Sequence, residues 1–243
     1  MPLTALAEPL GIVVAMSMEA RSLCPMPSRR AGRTLVALDG LAISGLGAQR
    51  AAAAAERLVA GGARRLVNIG VAGGLLAGLR PGDLIVPEAI VDADEPSTTL
   101  LPDAALRERI VGALRSSLPV RGGVLATTAQ PVLSSQAKQA LWRRLLAAAV
   151  DLEAAAIARV AARLGVPFAA IKSICDPVER SVPSLTLGLV HASGRISVRA
   201  MLSVLARGPS AWRALAAPAR DYAAARTSLA AVAPLLLAAI GEP

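Results

Sequence analysis

Aromatic residues are rare in this sequence, at 2% of 243 positions, so a buried core has to be built from alanine, leucine, valine and isoleucine. Nucleic-acid modules usually add stacking aromatics to a basic surface. The chain has a net charge of +9 but almost no aromatic side chain to offer, and we therefore expect no nucleic-acid partner. The charge still allows another anionic partner, either an acidic membrane surface or a phosphorylated substrate.

Histidine and cysteine are also scarce. His191 is the single histidine, and the two cysteines, Cys24 and Cys175, lie far apart without the short spacing of a metal site. This composition argues against a zinc centre and against a histidine-based nucleophile relay, and we expect neither a metal nor a cofactor. Two widely separated cysteines fit a reducing, cytosolic compartment.

Long uncharged apolar runs are missing as well. No such run approaches the roughly 20 residues that a membrane-spanning helix needs, and the run at 235–240 is short and follows Pro234. The N-terminus has no basic segment before its apolar residues, which Glu8 interrupts, so we expect no signal peptide. Hydrophobic residues make up 54% of the chain and charged residues 18%, which indicates a folded protein with a full core.

Short apolar runs alternate with alanine- and leucine-rich helical segments. The predicted strands are 11–16, 66–69, 84–87, 123–127 and 168–174, with a hairpin of 34–38 and 41–43 around Asp39-Gly40 and a surface loop at 92–104. The alternation predicts an α/β fold with a mixed or mostly parallel sheet, in a single domain over 1–243. Residues 193–243 read as a basic, amphipathic helical extension with breaks at Gly208-Pro209 and Pro218. This extension is either a solvated face packed on the sheet or a surface that meets anionic lipid.

Two carboxylates in the stretch 150–177 are candidate site residues. Glu153 stands at the start of a helix, and Asp176 follows a buried strand at its carboxyl end. Ligands bind at that edge of open α/β sheets, where a carboxylate is available for proton transfer or for sugar hydroxyls. The alternative is that Glu153 only complements the helix dipole and that Asp176 only makes a turn before Pro177.

Two glycine-rich turns, at 44–47 and 70–74, follow predicted strands. Glycine lets backbone amides approach a ligand closely, but each turn by itself is equally consistent with packing. Neither turn is a G-x-G-x-x-G fingerprint, and the chain has no phosphate-binding G-x-x-x-x-G-K-[ST] loop.

Six fragments together carry a resemblance to one known family. They are 11–19, 44–47, 68–74, 79–83, 150–154 and 174–176. In this order and spacing they resemble the purine nucleoside phosphorylase / methylthioadenosine–adenosylhomocysteine nucleosidase superfamily, over residues 11 to about 180. Beyond them, 177–183, 191–195 and the arginine-rich tail resemble the hopanoid-associated phosphorylase branch, which is linked to removal of adenine from adenosylhopane.

The resemblance implies a three-layer αβα fold around a mixed, mostly parallel twisted sheet, and it implies three acidic roles. Asp176 matches the general acid, which protonates N7 of the departing adenine. Glu153 matches the glutamate that binds the ribose hydroxyls. Glu19 matches the glutamate that activates water in the nucleosidases. Relatives are dimers, trimers or hexamers, so a homo-oligomer is implied as well.

The resemblance also assigns residues to the walls of a nucleoside pocket. These substrate-binding residues are Met18 and Leu152 as apolar walls, the backbone of Ala72, Gly73 and Gly74 around the base, and Gln130 in the stretch that faces adenine. That stretch, 128–131, lacks the phenylalanine of the nucleosidases, and Cys175 replaces the usual serine before the general acid. The phosphate-binding arginine of the hexameric phosphorylases has no clear match, so water and phosphate both stay open as nucleophile.

Three functions are therefore weighed. The first is cleavage of the N-glycosidic bond of an adenosine-type nucleoside, specifically adenosylhopane, by a cytoplasmic enzyme with a peripheral contact at the inner membrane face. The second is a soluble 5′-methylthioadenosine/S-adenosylhomocysteine nucleosidase, which would leave the basic tail unexplained. The third is a non-catalytic nucleoside-binding or membrane-peripheral protein.

Overall fold

The computed structural model describes residues 9–23, 40–186 and 206–241, together with residues 189, 191, 193–195, 197, 199 and 203. Strands β1 to β10 are Leu10–Val14, Leu41–Ile43, Arg65–Gly74, Leu84–Ile85, Ala89–Asp92, Thr99–Leu100, Val120–Arg121, Val124–Thr127, Ala149–Asp151 and Phe168–Asp176. Helices α1 to α6 are Ser17–Leu23, Ala48–Ala60, Ala104–Arg115, Ser135–Leu145, Ala154–Leu164 and Pro209–Gly241, and a 3-10 turn covers Ser184–Thr186.

The ten described strands form one mixed sheet centred on β3. Eight of them follow the order β6-β5-β8-β9-β3-β10-β4-β7, and β1 joins β3 with β2 outside it. Six of the nine strand pairs are parallel. One edge of β3 pairs with β1 at its start and with β9 at Gly73 and Gly74, and the other edge pairs with β10. Because β3 and β10 run parallel, both reach the same edge of the sheet at their carboxyl ends.

Helices cover both faces of the sheet, and the predicted three-layer α/β fold with a mostly parallel sheet is confirmed. One face is covered by α2 and α5, which pack against each other and against a core of small and branched side chains. The other face is covered by α1, α3 and α6, which share a second apolar core. Three alanines of α2 are fully buried, and their small side chains let the helix approach the sheet closely. These buried residues are Ala51, Ala54 and Ala55.

The structure contains short strands that were not predicted. The predicted surface loop at 92–104 contains β6, which pairs with β5, and no strand was predicted at Ala149–Asp151, where β9 lies. Such strands, of two to four residues, carry too little pattern to be told from loops. The second arm of the predicted hairpin is β2, which pairs in parallel with β1. The first arm and Asp39 lie outside the described residues.

The C-terminal helix α6 differs from prediction in one respect. It begins at Pro209, directly after Gly208, as the predicted break requires, but it continues through Pro218 and Pro234. A proline inside a helix costs about 3 kcal/mol or more through its lost hydrogen bond and its ring clash. Burial of large apolar side chains, at about 1.5–3 kcal/mol each, offsets that cost. The buried ones in the second half of α6 are Leu229, Val232 and Leu236.

By length and composition alone, the segment Pro209–Ala239 of α6 could cross a membrane. A helix in the core of a water-soluble protein meets the same criterion, and α6 packs on α1, α3 and β10. Arg226 within it donates from Nε to the Ser22 hydroxyl of α1 at 3.1 Å. The contacts of α6 are those of a helix packed within the domain, whereas its length and composition alone would also fit a membrane span.

Candidate active site

A cavity of about 200 Å³ opens beside the carboxyl ends of β3 and β10. Four carboxylates from separate parts of the chain line it. Glu19 comes from α1, Asp151 and Glu153 from the junction of β9 and α5, and Asp176 from the last position of β10. The remaining walls are mainly apolar and include Met16, Leu46, Pro131, Val132, Leu133 and Val182.

Glu19 is 1% exposed and is held by three backbone N–H groups. Its Oε2 accepts hydrogen bonds from Ala15 at 3.1 Å and from Met16 at 2.8 Å, and its Oε1 accepts one from Val71 at 2.9 Å. Burial raises the pKa of Glu19, and these N–H donors offset the rise only in part. A carboxylate fixed in position, with a raised pKa, is suited to take a proton from a bound water molecule.

Gly70 provides the space that Glu19 occupies. A Cβ atom on Gly70 would lie 2.9 Å from Oε1 of Glu19, closer than two such atoms can approach. Gly73, three residues on, would place a Cβ 3.3 Å from Oδ2 of Asp176 and itself lines the cavity. Residues 70–74 were predicted to form a turn, but they are the second half of β3, and the glycines in this strand make room for two of the carboxylates.

Asp151 is the centre of a buried polar network. Its Oδ1 accepts a hydrogen bond from the Thr127 hydroxyl at 2.7 Å, and its Oδ2 lies 2.8 Å from Nζ of Lys172. Oδ2 also accepts from the backbone N–H of Ala154 at 3.0 Å, so Asp151 satisfies a free donor at the start of α5. Asp151 belongs to the motif at 150–154, but no role was predicted for it. Only the fold brings Thr127 and Lys172 to it.

Glu153 precedes α5 but makes no side-chain capping bond to it. Instead, its Oε1 accepts a hydrogen bond from the backbone N–H of Gly47 at 2.9 Å, which ties the junction of β9 and α5 to the loop before α2. Burial, and next the nearby charge of Asp151, raise the pKa of Glu153 to about 7, against the opposing charge of Lys172. The capping task falls to Asp151, so Glu153 is left facing the cavity.

Asp176 ends β10 at an irregularity in its pairing with β3. Its Oδ1 accepts a hydrogen bond from the Cys175 thiol, with Sγ at 2.9 Å, and its Oδ2 forms an ion pair with Lys138 of α4. Burial raises the pKa of Asp176, while Lys138 and Cys175 act in the opposite direction. The same two contacts fix the carboxyl group at the cavity wall. Asp176 is therefore more than a turn residue before Pro177.

Three predicted substrate-binding residues, Leu152, Ala72 and Gly73, line the cavity with the carboxylates. Gly74, the last residue of β3, does not line the cavity. Its Cβ position would meet the backbone of Asp176 and Pro177.

Met18 and Gln130 also lie outside the cavity wall. The helical turn of α1 directs Met18 away, and Met16, two residues earlier, lines the cavity instead. Gln130 is exposed in a turn in which its carbonyl accepts a hydrogen bond from Thr128 at 2.9 Å. The adjacent apolar residues Pro131, Val132 and Leu133 line the cavity instead.

A larger cavity of about 340 Å³ lies at the opposite ends of β1 and β2, between Leu10, Leu41 and Arg57. None of the described residues that line it is a carboxylate, so this part of the chain offers no group for proton transfer there. We therefore place the functional site in the smaller cavity, where the acidic side chains converge.

Comparisons with protein families, with individual relatives and with solved structures agree with one another. A family model described as the phosphorylase superfamily matches residues 9–207. Aminodeoxyfutalosine nucleosidase of Helicobacter pylori strain J99 is 28% identical over 134 residues, which is 49% of this chain and 58% of that protein. The chain thus matches less than two thirds of the length of this relative.

Solved structures share the fold over nearly the whole chain. Futalosine hydrolase of Helicobacter pylori superposes with a TM-score of 0.70 at 18% identity, covering 96% of this chain and 98% of that one. The 5′-methylthioadenosine/S-adenosylhomocysteine nucleosidase of Neisseria meningitidis, in complex with methylthio-immucillin-A, gives 0.67 at 21% identity with the same coverage. At such identities the likeness establishes the fold, and the family model adds the membership: the chain belongs to the phosphorylase superfamily.

Proposed function

We propose that this protein hydrolyses the N-glycosidic bond of an adenosine-type nucleoside. The observation that carries the proposal is the convergence of Glu19, Glu153 and Asp176 on one cavity. Breaking this bond requires a proton for the departing base and an acceptor for a proton of the attacking water. Buried carboxyl groups with raised pKa values, as Asp176 and Glu19 are, suit these two tasks.

Glu153 supplies the third task, which is to hold the sugar. A carboxylate that accepts hydrogen bonds from two neighbouring hydroxyls orients the ribose, and its charge stabilises the positive character that develops at the anomeric carbon. With one oxygen held by Gly47, the carboxyl group of Glu153 has a fixed position before substrate arrives.

The charge of the cavity wall favours water over phosphate as nucleophile. Among the described residues that line the cavity there are four acidic side chains and no arginine, lysine or histidine. Phosphate sites depend on cationic groups or on clusters of backbone donors, and nearby carboxylates repel the anion. The two buried lysines close to the site, Lys138 and Lys172, are already paired with Asp176 and Asp151.

We further propose that the substituent at the 5′ position of the nucleoside is apolar. Apolar side chains such as Leu46, Leu133 and Val182 line the cavity, which suits an apolar group better than a charged one. Together with the resemblance of 177–183 to the hopanoid-associated branch, they support adenosylhopane as the substrate. 5′-Methylthioadenosine is the alternative on the same grounds, and the named relative adds aminodeoxyfutalosine.

A parallel assay separates these possibilities. The purified protein is incubated with adenosylhopane, 5′-methylthioadenosine and aminodeoxyfutalosine, each with and without inorganic phosphate, and the free base is quantified by chromatography. We expect base release that does not depend on phosphate, with the free sugar as the second product. A sugar 1-phosphate would reject hydrolysis, and no base from any nucleoside under either condition would reject the function itself. Nucleoside binding without turnover would identify the non-catalytic alternative.

A further inference from the structure

Lys138 is fully buried, and its ammonium group is surrounded by acceptors from the segment that carries Asp176. Besides the ion pair with Oδ2 of Asp176, Nζ donates to the backbone carbonyls of Pro177 and Arg180, each at 3.0 Å. The backbone carbonyl of Asp176 lies at 3.4 Å as well, so four acceptors surround an ammonium group that has three donors and no acceptor. Lys138 lies outside the residues that line the cavity, and it would reach a substrate only through Asp176.

We propose that Lys138 is a positioning residue for Asp176: its ammonium fixes one carboxyl oxygen and stabilises the negative charge that Asp176 carries after it has given up its proton. The proposal rests on the function proposed above. In that reaction the proton of the Asp176 carboxyl group passes to N7 of the base, and the electron pair of the C1′–N bond leaves with the base. Water adds to C1′ and its proton goes to Glu19. The charge left on Asp176 then lies next to the ammonium of Lys138.

The other charged and titratable groups around Asp176 act more weakly or in the opposite direction. The Cys175 thiol of β10 donates to the second oxygen, and Asp221 of α6 adds an unfavourable negative charge. Asp221 is itself paired with Arg180. Lys138 is therefore the main group that favours the ionised carboxylate against the cost of burial.

The test compares pH–rate profiles for 5′-methylthioadenosine turnover by the parent protein and by Lys138→Gln, which keeps a hydrogen-bond donor but removes the charge. A general acid must be protonated, so activity falls as the pH rises through its pKa. Without the ammonium, the carboxyl group keeps its proton to higher pH. We expect the alkaline limb of the profile to move up by about 1 pH unit or more, and kcat on the plateau to fall by about 3- to 10-fold.

A second readout needs no turnover and so separates this proposal from the proposed function. The 13Cγ resonance of Asp176, assigned by its loss in Asp176→Asn, is titrated in the parent, in Lys138→Gln and in Lys138→Met. A higher midpoint in either variant supports the role of Lys138 even if no nucleoside is cleaved. Gln139→Met changes an exposed neighbour on α4 and should leave both the titration and the profile unchanged. Coinciding midpoints in parent and Lys138 variants would overturn the proposal.

Discussion

Lys172 and Asp151 form an ion pair in the interior, with 2.8 Å between Nζ and Oδ2 and with both side chains almost fully buried. Burial favours the neutral amine of Lys172, but the negative charges of Asp151 and Glu153 outweigh it and raise the pKa of Lys172. One ammonium group thus balances several carboxylates that share the cavity wall. The positive charge of Lys172 lowers the cost of burying these carboxylates inside the fold.

Removing the ammonium should therefore destabilise the whole domain. We expect Lys172→Met to lower the free energy of unfolding by about 3–5 kcal/mol, because Asp151 is left as an unpaired buried charge. Urea unfolding measures the change. The control is Arg163→Met, which breaks the ion pair with Glu56 on the surface, where both side chains are at least half exposed. It should cost about 1 kcal/mol or less, and equal losses in the two variants would contradict the special role of Lys172.

Gly70→Ala should impair activity more than stability. The added methyl group would have to displace the carboxyl group of Glu19, which three backbone N–H groups hold in place. We expect kcat for base release to fall by about 10- to 100-fold, as for other small displacements of a catalytic group. Gly112→Ala is the matched control, because a Cβ atom there meets nothing within 4 Å. That variant should keep its activity and gain about 0.5–1 kcal/mol through helix propensity. Unchanged kcat in Gly70→Ala would show that the position of Glu19 does not matter for turnover.

Asp176→Asn tests the general acid directly. The amide has nearly the same shape but cannot give a proton to the base, and we expect kcat to fall by about 10²- to 10⁴-fold. Chromatographic quantification of the released base measures the rate. Binding of methylthio-immucillin-A to the same variant checks that the pocket is intact. Parent-like turnover would remove Asp176 from the mechanism.

Glu153 gives the protein a distinctive dependence of stability on pH. Its pKa is about 7 in the folded protein against 4.5 as the ordinary value, so the folded state binds more protons between these limits. The free energy of unfolding contributed by this group is therefore present at low pH and is lost as the pH rises toward 7. The Glu153→Gln variant does not lose this contribution. The difference in the free energy of unfolding, variant minus parent, should therefore be about 2 kcal/mol larger at pH 7 than at pH 5.

Unfolding curves at both pH values measure this difference. A constant difference between the two proteins across this range would contradict the raised pKa of Glu153. In kinetic assays the same variant should raise KM, since the amide is a poorer acceptor for the ribose hydroxyls.

The exposed face of α6 predicts a weak contact with anionic lipid. Trp212, Arg213 and Arg220 are exposed on it, and the acidic Asp221 is buried and paired with Arg180. We expect salt-sensitive cosedimentation with phosphatidylserine vesicles that is reduced in Arg213→Ala/Arg220→Ala. Arg115→Ala/Arg143→Ala, which removes two exposed arginines from α3 and α4, is the control for total charge. Equal binding by both double variants would assign the effect to net charge alone.

Local pattern in the sequence was enough to predict the larger elements of the fold. The long apolar runs became β3 and β10, and the carboxyl end of β10 places Asp176 at the sheet edge as expected for parallel strands. Short strands such as β9 had no pattern of their own. They exist because neighbouring strands supply their hydrogen bonds.

Some residues of the site could not be predicted from the sequence for a similar reason. The carboxylates Glu19, Glu153 and Asp176 stood out because motifs surround them. Lys138, by contrast, lies in a polar helix and reads as a surface residue, and its complete burial depends on carbonyl groups that lie about 40 positions later in the chain. Likewise, the choice between Met16 and Met18 as a wall residue is decided by the direction in which α1 turns, which the spacing alone does not fix.

The chain contains two lysines, Lys138 and Lys172, and both are enclosed in ion pairs. Basic character at the surface is carried by arginine, whose guanidinium group does not react with common acylating reagents. No lysine amine is therefore open to such reagents until the domain opens, and acylation of either lysine reports that event. The two residues that neutralise the acidic cavity are thus also internal reporters of its integrity.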